Sequence, residues 1–292
     1  MDGVQDMTKL ANAKTEAEVD AAAAELNKKI GAGAKGGVDK KRIALLDEMR
    51  GICVLAMVCY HAFFILATQF AVGWGMKFYE FFQPAQPVFA AMFILIAGIC
   101  SRLSHDVKRR GLLLLVFAMG ITLATVLLLP ALGFQDTQVW FGILHLLALS
   151  TLLFGFGKRV FDKIPAFLGV LLCLALFFLT APVGQGYLGM FGLHIDLPER
   201  LYQSNTLAFL GFHGPDFVSW DFFPLLPYCF LFLFGSFMGR YTENGGFPDF
   251  CYKKHMLFFG LLGRHALPIY LLHVPVFYGL VYFLRAVLAF GS

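Results

Sequence analysis

The chain has 292 residues, of which 59% are hydrophobic and only 14% are charged, and it contains 34 phenylalanines. A soluble domain carries about 25% charged residues, so this composition excludes a soluble enzyme, and it is the opposite of what a disordered protein shows. Because the net charge of +4 is too small to indicate nucleic-acid binding, we predict an integral membrane protein that binds no nucleic acid.

Residues 1–40 differ in composition from the rest of the chain and are predicted to form a cytoplasmic leader ahead of a membrane domain at 41–292. The segment TEAEVDAAAAELNKKI (15–30) is rich in alanine and in charges of both signs, which favours a short soluble helix. GAGAKGG (31–37) is typical of a flexible linker. No basic stretch followed by an apolar one lies at the start, so no signal peptide is predicted.

Apolar segments separated by short polar joints follow from Ile43 onward. A helix needs about 20 apolar residues to cross roughly 30 Å of hydrocarbon. Seven segments are predicted to do so, at approximately 43–71, 84–101, 110–130, 139–156, 164–182, 222–239 and 265–289. Their apolar residues are continuous rather than alternating, which excludes β-barrel strands. The predicted fold is an all-α, polytopic transmembrane helix bundle.

Lysine and arginine are distributed unequally between the two sets of alternate joints. From residue 35 onward, one set holds fifteen: Lys35, Lys40, Lys41, Arg42, Arg102, Lys108, Arg109, Arg110, Lys158, Arg159, Lys163, Arg240, Lys253, Lys254 and Arg264. The other set holds three: Lys77, Arg200 and Arg285. Basic residues favour the cytoplasmic side, so the N-terminus is predicted to be cytoplasmic, in a multi-pass protein of the cell membrane.

One predicted outer loop, at 182–221, is unusually long. Long loops in compact proteins are usually functional or disordered, and the many aromatic residues of this one argue against disorder. We therefore predict a lid or a substrate-binding flap on the outer face.

The first apolar segment, in LLDEMRGICVLAMVCYH, carries charged residues and a histidine. Arg50 and His61 are eleven residues apart, close to three helical turns, so they share one face about 16 Å apart. Asp47 lies three residues before Arg50 and is predicted to pair with it. Ionisable groups in hydrocarbon are costly and therefore suggest function. In the alternative interpretation, the charged residues mark the membrane interface and His61 is a structural core histidine.

Other segments supply further polar candidates. His145 lies five residues after Trp140 and near the outer boundary, on the same side as His61. His273 lies within ALPIYLLHVP of the last segment, and Asp221 begins the sixth segment at the outer face. Helix capping is an equally good interpretation of Asp221. An imidazole is suited to act as a general base near neutral pH.

Several other site types have no sequence support. The chain lacks a G-x-S-x-G elbow, an HExxH motif and a phosphate-binding glycine loop. The six cysteines have no metal-type spacing, and five lie inside apolar segments, so we predict buried thiols and no metal site.

RGICVLAMVCYH resembles the arginine, ten residues, histidine pattern of the membrane acyltransferase type 3 family. From Arg42 to Phe290 the chain more closely resembles a related group, the prokaryotic heparan-alpha-glucosaminide N-acetyltransferase catalytic-domain family. Five segments carry this resemblance in order: ALLDEMRGICVLAMVCYH, MFILIAGICSRLS, WFGILHLLALS, DFFPLLPYCFLFLFG and RHALPIYLLHVPVF.

The resemblance implies an enzyme that transfers an acyl group, often acetyl from acetyl-CoA on the cytoplasmic side, to an acceptor at the outer face. It makes His61 the catalytic histidine and Arg50 its motif partner. The resulting catalytic prediction is His61, His145 and Asp47. The substrate-binding prediction is Arg50, Trp140, Asp221 and His273. Acyl-CoA is expected as co-substrate, with no tightly bound cofactor.

The expected acceptor is a hydroxyl or amine of a carbohydrate or glycoconjugate, and the other expected partner is the lipid bilayer. His61 is predicted to act as base or as a transient acyl carrier. Two other functions stay open at this point. One is a membrane haem or metal protein that uses His61, His145 and His273 as ligands. The other is a small-solute transporter. A homodimer is also left open.

Overall fold

The computed structural model describes residues 42–68, 70, 72–131, 137–243 and 246–290, and helices dominate this part of the chain. The predicted leader at 1–40 lies outside the described residues. The helices are α1 (Ala44–Thr68), α2 (Gly73–Phe82), α3 (Gln86–Leu103), α4 (Val107–Leu123), α5 (Ile143–Phe161), α6 (Ala166–Thr180), α7 (Leu225–Glu243), α8 (Leu257–Arg264) and α9 (Ala266–Phe290). This architecture confirms the predicted all-α bundle.

Shorter elements complete the described part. A π-helical turn (Ala124–Leu128) and a final turn (Leu129–Ala131) continue α4. Between α6 and α7, the predicted outer loop contains an antiparallel hairpin of β1 (Tyr187–Met190) and β2 (Leu193–Asp196). The 3-10 turns are Ala181–Gln185, Glu199–Tyr202, Asn205–Leu210 and Asp249–Tyr252.

Five described helices are long and apolar enough to cross a membrane. They are Ala44–Thr68, Gln86–Leu103, Val107–Ala131, Ile143–Phe161 and Ala166–Gln185. A sixth crossing results if α8 and the first part of α9, which meet at 82°, form one broken span. The predicted segment at 222–239 lies on α7, which has a non-helical residue at Leu226 and is not among these helices. The count of seven spans and the orientation stay predictions.

The main core lies where α3, α5 and α7 meet. Ile94, Leu146, Phe154 and Phe232 are fully buried there. The core side chains come from all three helices, so these helices pack together. α1 packs against α3, and α9 packs against α1. Burying each large apolar side chain of this kind stabilises the fold by about 1.5–3 kcal/mol relative to exposure in water.

Two helix crossings depend on glycine. At the α3–α7 crossing, a Cβ on Gly98 would overlap the carbonyl oxygen of Phe232, and a Cβ on Gly235 would overlap that of Leu95. At the α1–α8 crossing, Gly51 and Gly263 approach each other's helix backbone in the same way. Small residues allow such close approach between membrane helices.

A buried carboxylate fastens the start of α8 to α1. Glu48 is 1% exposed. Its Oε1 accepts hydrogen bonds from the backbone N–H groups of His255, at 2.7 Å, and Met256, at 3.0 Å. Negative charge is favourable at a helix N-terminus because the unpaired amides carry partial positive charge. This contact and the glycine crossing together hold α8 against α1.

Gly98→Ala is expected to lower the stability of the protein, because the added methyl forces α3 away from α7. Overpacking of this kind costs about 1–3 kcal/mol. The midpoint of thermal unfolding in detergent measures the effect. Gly120→Ala on α4 is the matched control, since nothing lies within 4 Å of a Cβ built there. Equal midpoints for the two variants would contradict the close crossing.

Candidate functional site

A cavity lies between α1 and α3 and is bordered by residues of α9 and of the segment before α7. Its empty volume, including the space at its mouth, is about 550 Å³. Most of its lining is apolar, with Phe89 and Phe93 on α3 and Phe223 from the segment before α7. The polar groups on its wall are few, and they are His61, Tyr60, Gln86, Asp221 and Tyr270. A mostly apolar cavity with a few converging polar groups is typical of a ligand site.

His61 reaches this cavity because it lies on one face of α1. Cys53, Met57 and Tyr60 line the cavity from the same helix, at spacings of three or four residues. The Nδ1 atom of His61 is buried and has no well-aligned hydrogen-bond partner among the described residues. The backbone carbonyl of Met57, one turn earlier, lies close enough to interact with the ring.

A second imidazole lies beside the first. The ring centroids of His61 and His273 are 5.1 Å apart. His273 Nδ1 donates to the backbone carbonyl of Tyr270 at 2.6 Å. In the neutral ring this bond puts the proton on Nδ1, so Nε2 carries the lone pair. Nε2 is buried and has no hydrogen-bond partner in the described part of the chain.

Asp221 provides the carboxylate of the cavity. Its Oδ2 accepts a hydrogen bond from the Tyr270 hydroxyl at 2.6 Å and from the backbone N–H of Ile143 at 3.4 Å. Ile143 is the first residue of α5, so the carboxylate caps that helix rather than α7, which it precedes in sequence. Its φ of 51° is uncommon for a residue other than glycine, although aspartate tolerates it better than most. Strain of this kind often accompanies functional sites.

Backbone pairing holds Asp221 in this position. Gly142 and Phe222 form an antiparallel bridge. On either side of it, the Trp220 N–H donates to the Gln138 carbonyl at 2.9 Å, and the Phe223 N–H donates to that of Phe141 at 3.3 Å. These bonds lock the segment before α7 to the segment before α5.

The cavity also changes the acidity of this carboxyl. Burial raises the pKa of Asp221 from 3.8 to about 6, because the charged form loses contact with water. The hydrogen bonds from Tyr270 and Ile143 oppose this shift, as does the nearby His273. Asp221 therefore changes its charge close to neutral pH.

His145 does not line the cavity. Its Nδ1 accepts a hydrogen bond from the Gly142 N–H at 3.2 Å, so the proton of the neutral ring lies on Nε2. Nε2 lies 3.1 Å from the Thr122 hydroxyl, which donates to the carbonyl of Val139 at 2.8 Å. Both ring nitrogens thus contribute to the start of α5 and its contact with α4.

The charged residues of α1 lie at the other end of that helix. The predicted contact between Asp47 and Arg50 is present, with Nη1 and Oδ1 3.6 Å apart. Arg50 Nη2 also donates to the Sγ of Cys100 at 2.7 Å, and Arg110 donates to the carbonyl of the same residue at 3.4 Å. Arg50 lies one turn before Cys53, the last cavity residue in this direction.

The structure thus brings together three of the predicted site residues, His61, His273 and Asp221. Asp47 is fourteen residues from His61 along α1, or about 21 Å. Trp140 lies outside the cavity, is 50% exposed, and donates its backbone N–H to the hydroxyl of Ser219. The roles predicted for Asp47, His145, Arg50 and Trp140 stay predictions.

Sequence reasoning missed Tyr270, whose hydroxyl binds Asp221 and whose carbonyl binds His273. Its place three residues before His273 was a usable signal, since such residues share a helix face. Tyr60 and Gln86 were also missed. Tyr60 is the residue before His61, and nothing in the local pattern distinguishes it from the other aromatic residues of the segment.

The arrangement of the histidines gives no support to the alternative in which His61, His145 and His273 hold a haem or a metal ion. Among the described residues, no group of three or more His, Cys, Asp or Glu side chains is placed to hold a metal ion. His61 and His273 adjoin one another, but the nitrogens of His145 bind Gly142 and Thr122 instead. The three histidines therefore do not converge. All six cysteines are free thiols, and four of them are buried.

Comparison with protein families gives one match. The model of the family described as "Heparan-alpha-glucosaminide N-acetyltransferase, catalytic" matches residues 42–275, which is more than half of the chain. That range includes α1 and the residues of α9 that border the cavity. No curated protein and no solved structure matched the chain.

His145→Asn is expected to keep most of the stability, because the amide oxygen of asparagine occupies the place of Nδ1 and accepts from Gly142. His145→Leu leaves buried polar groups unpaired, which costs about 1–3 kcal/mol. Thermal unfolding in detergent checks this order. Equal losses in both variants would contradict the capping role.

Asp221→Asn is expected to raise the unfolding midpoint near pH 8 relative to the natural chain. The raised pKa means that the folded state binds the proton more tightly than the unfolded state, so ionisation above about pH 6 costs stability. The gain should shrink as the pH falls from about 6 towards 3.8, because the carboxyl is protonated in both states only below that range.

Asp216→Asn, an exposed aspartate of the same loop, is the matched control and should show no such pH dependence. Unfolding midpoints measured from pH 4 to pH 8 make the comparison. A gain that is the same at every pH would contradict the effect of burial on Asp221.

Proposed function

Since the chain belongs to the heparan-alpha-glucosaminide N-acetyltransferase catalytic family, we propose that it is a membrane enzyme that moves an acetyl group from acetyl-CoA to a sugar. The acceptor atom is a hydroxyl or an amine, and His61 is its general base. The single observation that carries this proposal is the placement of His61 on an apolar cavity whose wall also holds the Tyr270–Asp221 pair.

The proposed reaction is direct transfer. His61 takes the proton of the acceptor O–H or N–H while the oxygen or nitrogen attacks the thioester carbonyl. The new C–O or C–N bond forms, the C–S bond breaks, and the CoA thiolate leaves with the proton that His61 returns. The proton is therefore conserved within the cycle, and no oxidant, reductant or further cofactor is required.

The surroundings of His61 suit this role. A general base must present a ring nitrogen to the acceptor proton, and His61 lies on the cavity wall. The buried Nδ1 of His61 has no well-aligned hydrogen-bond partner among the described residues. His273, at 5.1 Å between ring centroids, is placed to influence the orientation and the protonation of His61.

Asp221 and Tyr270 are proposed to bind the acceptor. The carboxylate has one oxygen engaged by Tyr270 and Ile143, and its other oxygen can accept from a sugar hydroxyl or ammonium. An acceptor held there would lie in the same cavity as His61, where the thioester carbonyl is proposed to arrive. Positioning of this kind supplies much of the rate of transfer reactions.

The donor is proposed to enter from the end of α1 that carries Arg50. Arg50 and Arg110 both bind Cys100, and the Asp47 carboxylate holds Arg50. Guanidinium groups pair well with phosphate, so this end suits the anionic part of CoA. The apolar cavity beyond Cys53 then suits the acyl end. In this scheme Asp47 positions Arg50, and His145 positions the start of α5.

A variant of the mechanism makes His61 a transient acyl carrier. The imidazole attacks the thioester first, CoA leaves, and the acceptor then removes the acetyl group from the ring. Incubation of the purified protein with radiolabelled acetyl-CoA and no acceptor distinguishes the two routes. Label retained by the protein, and lost on addition of acceptor, would establish the carrier route.

His61→Ala is expected to lower kcat by about 10²- to 10⁴-fold, the usual contribution of a general base. The assay follows transfer of radiolabel from acetyl-CoA to amino sugars and neutral sugars by the purified protein in detergent. Binding of acetyl-CoA, measured by calorimetry, should change little, since His61 acts on the acceptor proton.

Cys59→Ala is the matched control, because Cys59 lies on the same helix and does not line the cavity. It should retain the activity of the natural chain. Full activity in the His61→Ala protein would contradict both the base and the carrier route.

A further inference from the structure

A short hairpin follows α6 and has no part in the proposed reaction. The 3-10 turn Ala181–Gln185 leads from α6 into β1, and β1 pairs with β2. A hydrogen bond from the Leu197 N–H to the Gly186 carbonyl, at 2.9 Å, closes its base. The hairpin is therefore a defined element rather than an irregular stretch of loop.

The two faces of the hairpin differ sharply in polarity. Side chains alternate between the faces of a strand, and cross-strand partners share a face. The pairs Leu188–Ile195 and Met190–Leu193 make one face entirely apolar. On the opposite face, His194 stacks on Tyr187 with centroids 4.3 Å apart and pairs with Asp196 at 2.8 Å.

At the tip of the hairpin, an aromatic residue has a positive φ, which is unfavourable for a bulky side chain. Phe191 and Gly192 form the two-residue turn, with φ of 48° and 91°. Turns that need positive φ at both positions favour Asn, Asp or Gly, and a bulky residue there is strained. Phe191 is nevertheless 94% exposed within the chain. Neither turn geometry nor packing within the described residues explains a phenylalanine here.

The hairpin adjoins a candidate membrane span. β1 packs beside α6, whose Leu174 and Phe178 are exposed. On the hairpin, Leu193 and Ile195 are likewise about half exposed. Exposed apolar side chains of both elements therefore lie on neighbouring parts of the chain, at the end of a helix long and apolar enough to cross a membrane.

We propose that the hairpin at 187–196 is a membrane anchor that lies in the leaflet around the C-terminal end of α6. Phe191, Leu193 and Ile195 enter the apolar part of that leaflet, and His194 and Asp196 face the headgroups and water. This arrangement matches an interfacial element with one apolar and one polar face. It fixes the start of the segment that ends at Asp221, independently of whether that residue binds an acceptor.

Two tryptophan variants test the anchor in lipid nanodiscs. Ile195→Trp places the probe on the apolar face, and Asp196→Trp places it on the polar face of the same strand. Emission is measured in phosphatidylcholine with and without brominated acyl chains, after subtraction of the natural chain with its own tryptophans. The bromine should quench most of the added emission of Ile195→Trp and little of that of Asp196→Trp.

Phe191→Asn is then added to the Ile195→Trp variant. Asparagine suits the turn better, so the hairpin stays folded while its apolar tip is removed, and unfolding midpoints verify this. Quenching by brominated lipid should fall, and quenching by aqueous acrylamide should rise. Equal quenching of both strand positions, or no effect of Phe191→Asn, would overturn the proposal. So would an Ile195→Trp probe that neither quencher reaches in a dimeric particle, since a second copy would then cover the face.

Discussion

The hydrogen bond from Tyr270 to Asp221 is the contact on which the end of the bundle around the cavity depends. One carboxylate oxygen binds the hydroxyl of α9 and the first amide of α5, while the residue itself leads into α7. The Oδ2 atom of Asp221 thus helps to set the positions of three helices, α5, α7 and α9, relative to one another. Because a carboxylate in apolar surroundings is stable only with such partners, the bond and the helix positions support each other. Asp221 and Tyr270 also line the cavity that holds His61.

The buried histidines of this chain differ in their hydrogen bonds. His145 has partners for both ring nitrogens, so it stabilises the fold. The Nδ1 of His61 and the Nε2 of His273 lack well-aligned partners although both are buried. An unpaired buried polar atom costs free energy, so two of them in adjacent rings, one of which lines the cavity, favour a site that binds a polar ligand. The same contrast separates the proposed catalytic histidine from the structural one.

Local patterns in the sequence predicted the all-α bundle and the contact between Asp47 and Arg50. Because ionisable residues within apolar segments are rare, they also drew attention to His61, His273 and Asp221, which the structure brings together, and to Asp47, Arg50 and His145, which do not line the cavity. The family resemblance seen in five segments is confirmed by the match over 42–275. The pairing of Tyr270 with Asp221 was not predictable, since it joins residues 49 positions apart through the fold of the whole bundle. The hairpin was not predicted; the loop at 182–221 was predicted as a lid or a substrate-binding flap, which stays a prediction, and its two short strands lack a clear alternating pattern.

The central claim is that the acyl end of the donor reaches the cavity between His61 and Asp221. Electron cryomicroscopy of the natural chain with a non-transferable thioether analogue of acetyl-CoA tests it most directly. The account predicts density for the acyl end within hydrogen-bonding reach of His61, with the phosphates towards Arg50 and Arg110. Density for the acyl end outside this cavity, or for the phosphates at the end that holds Asp221, would contradict it.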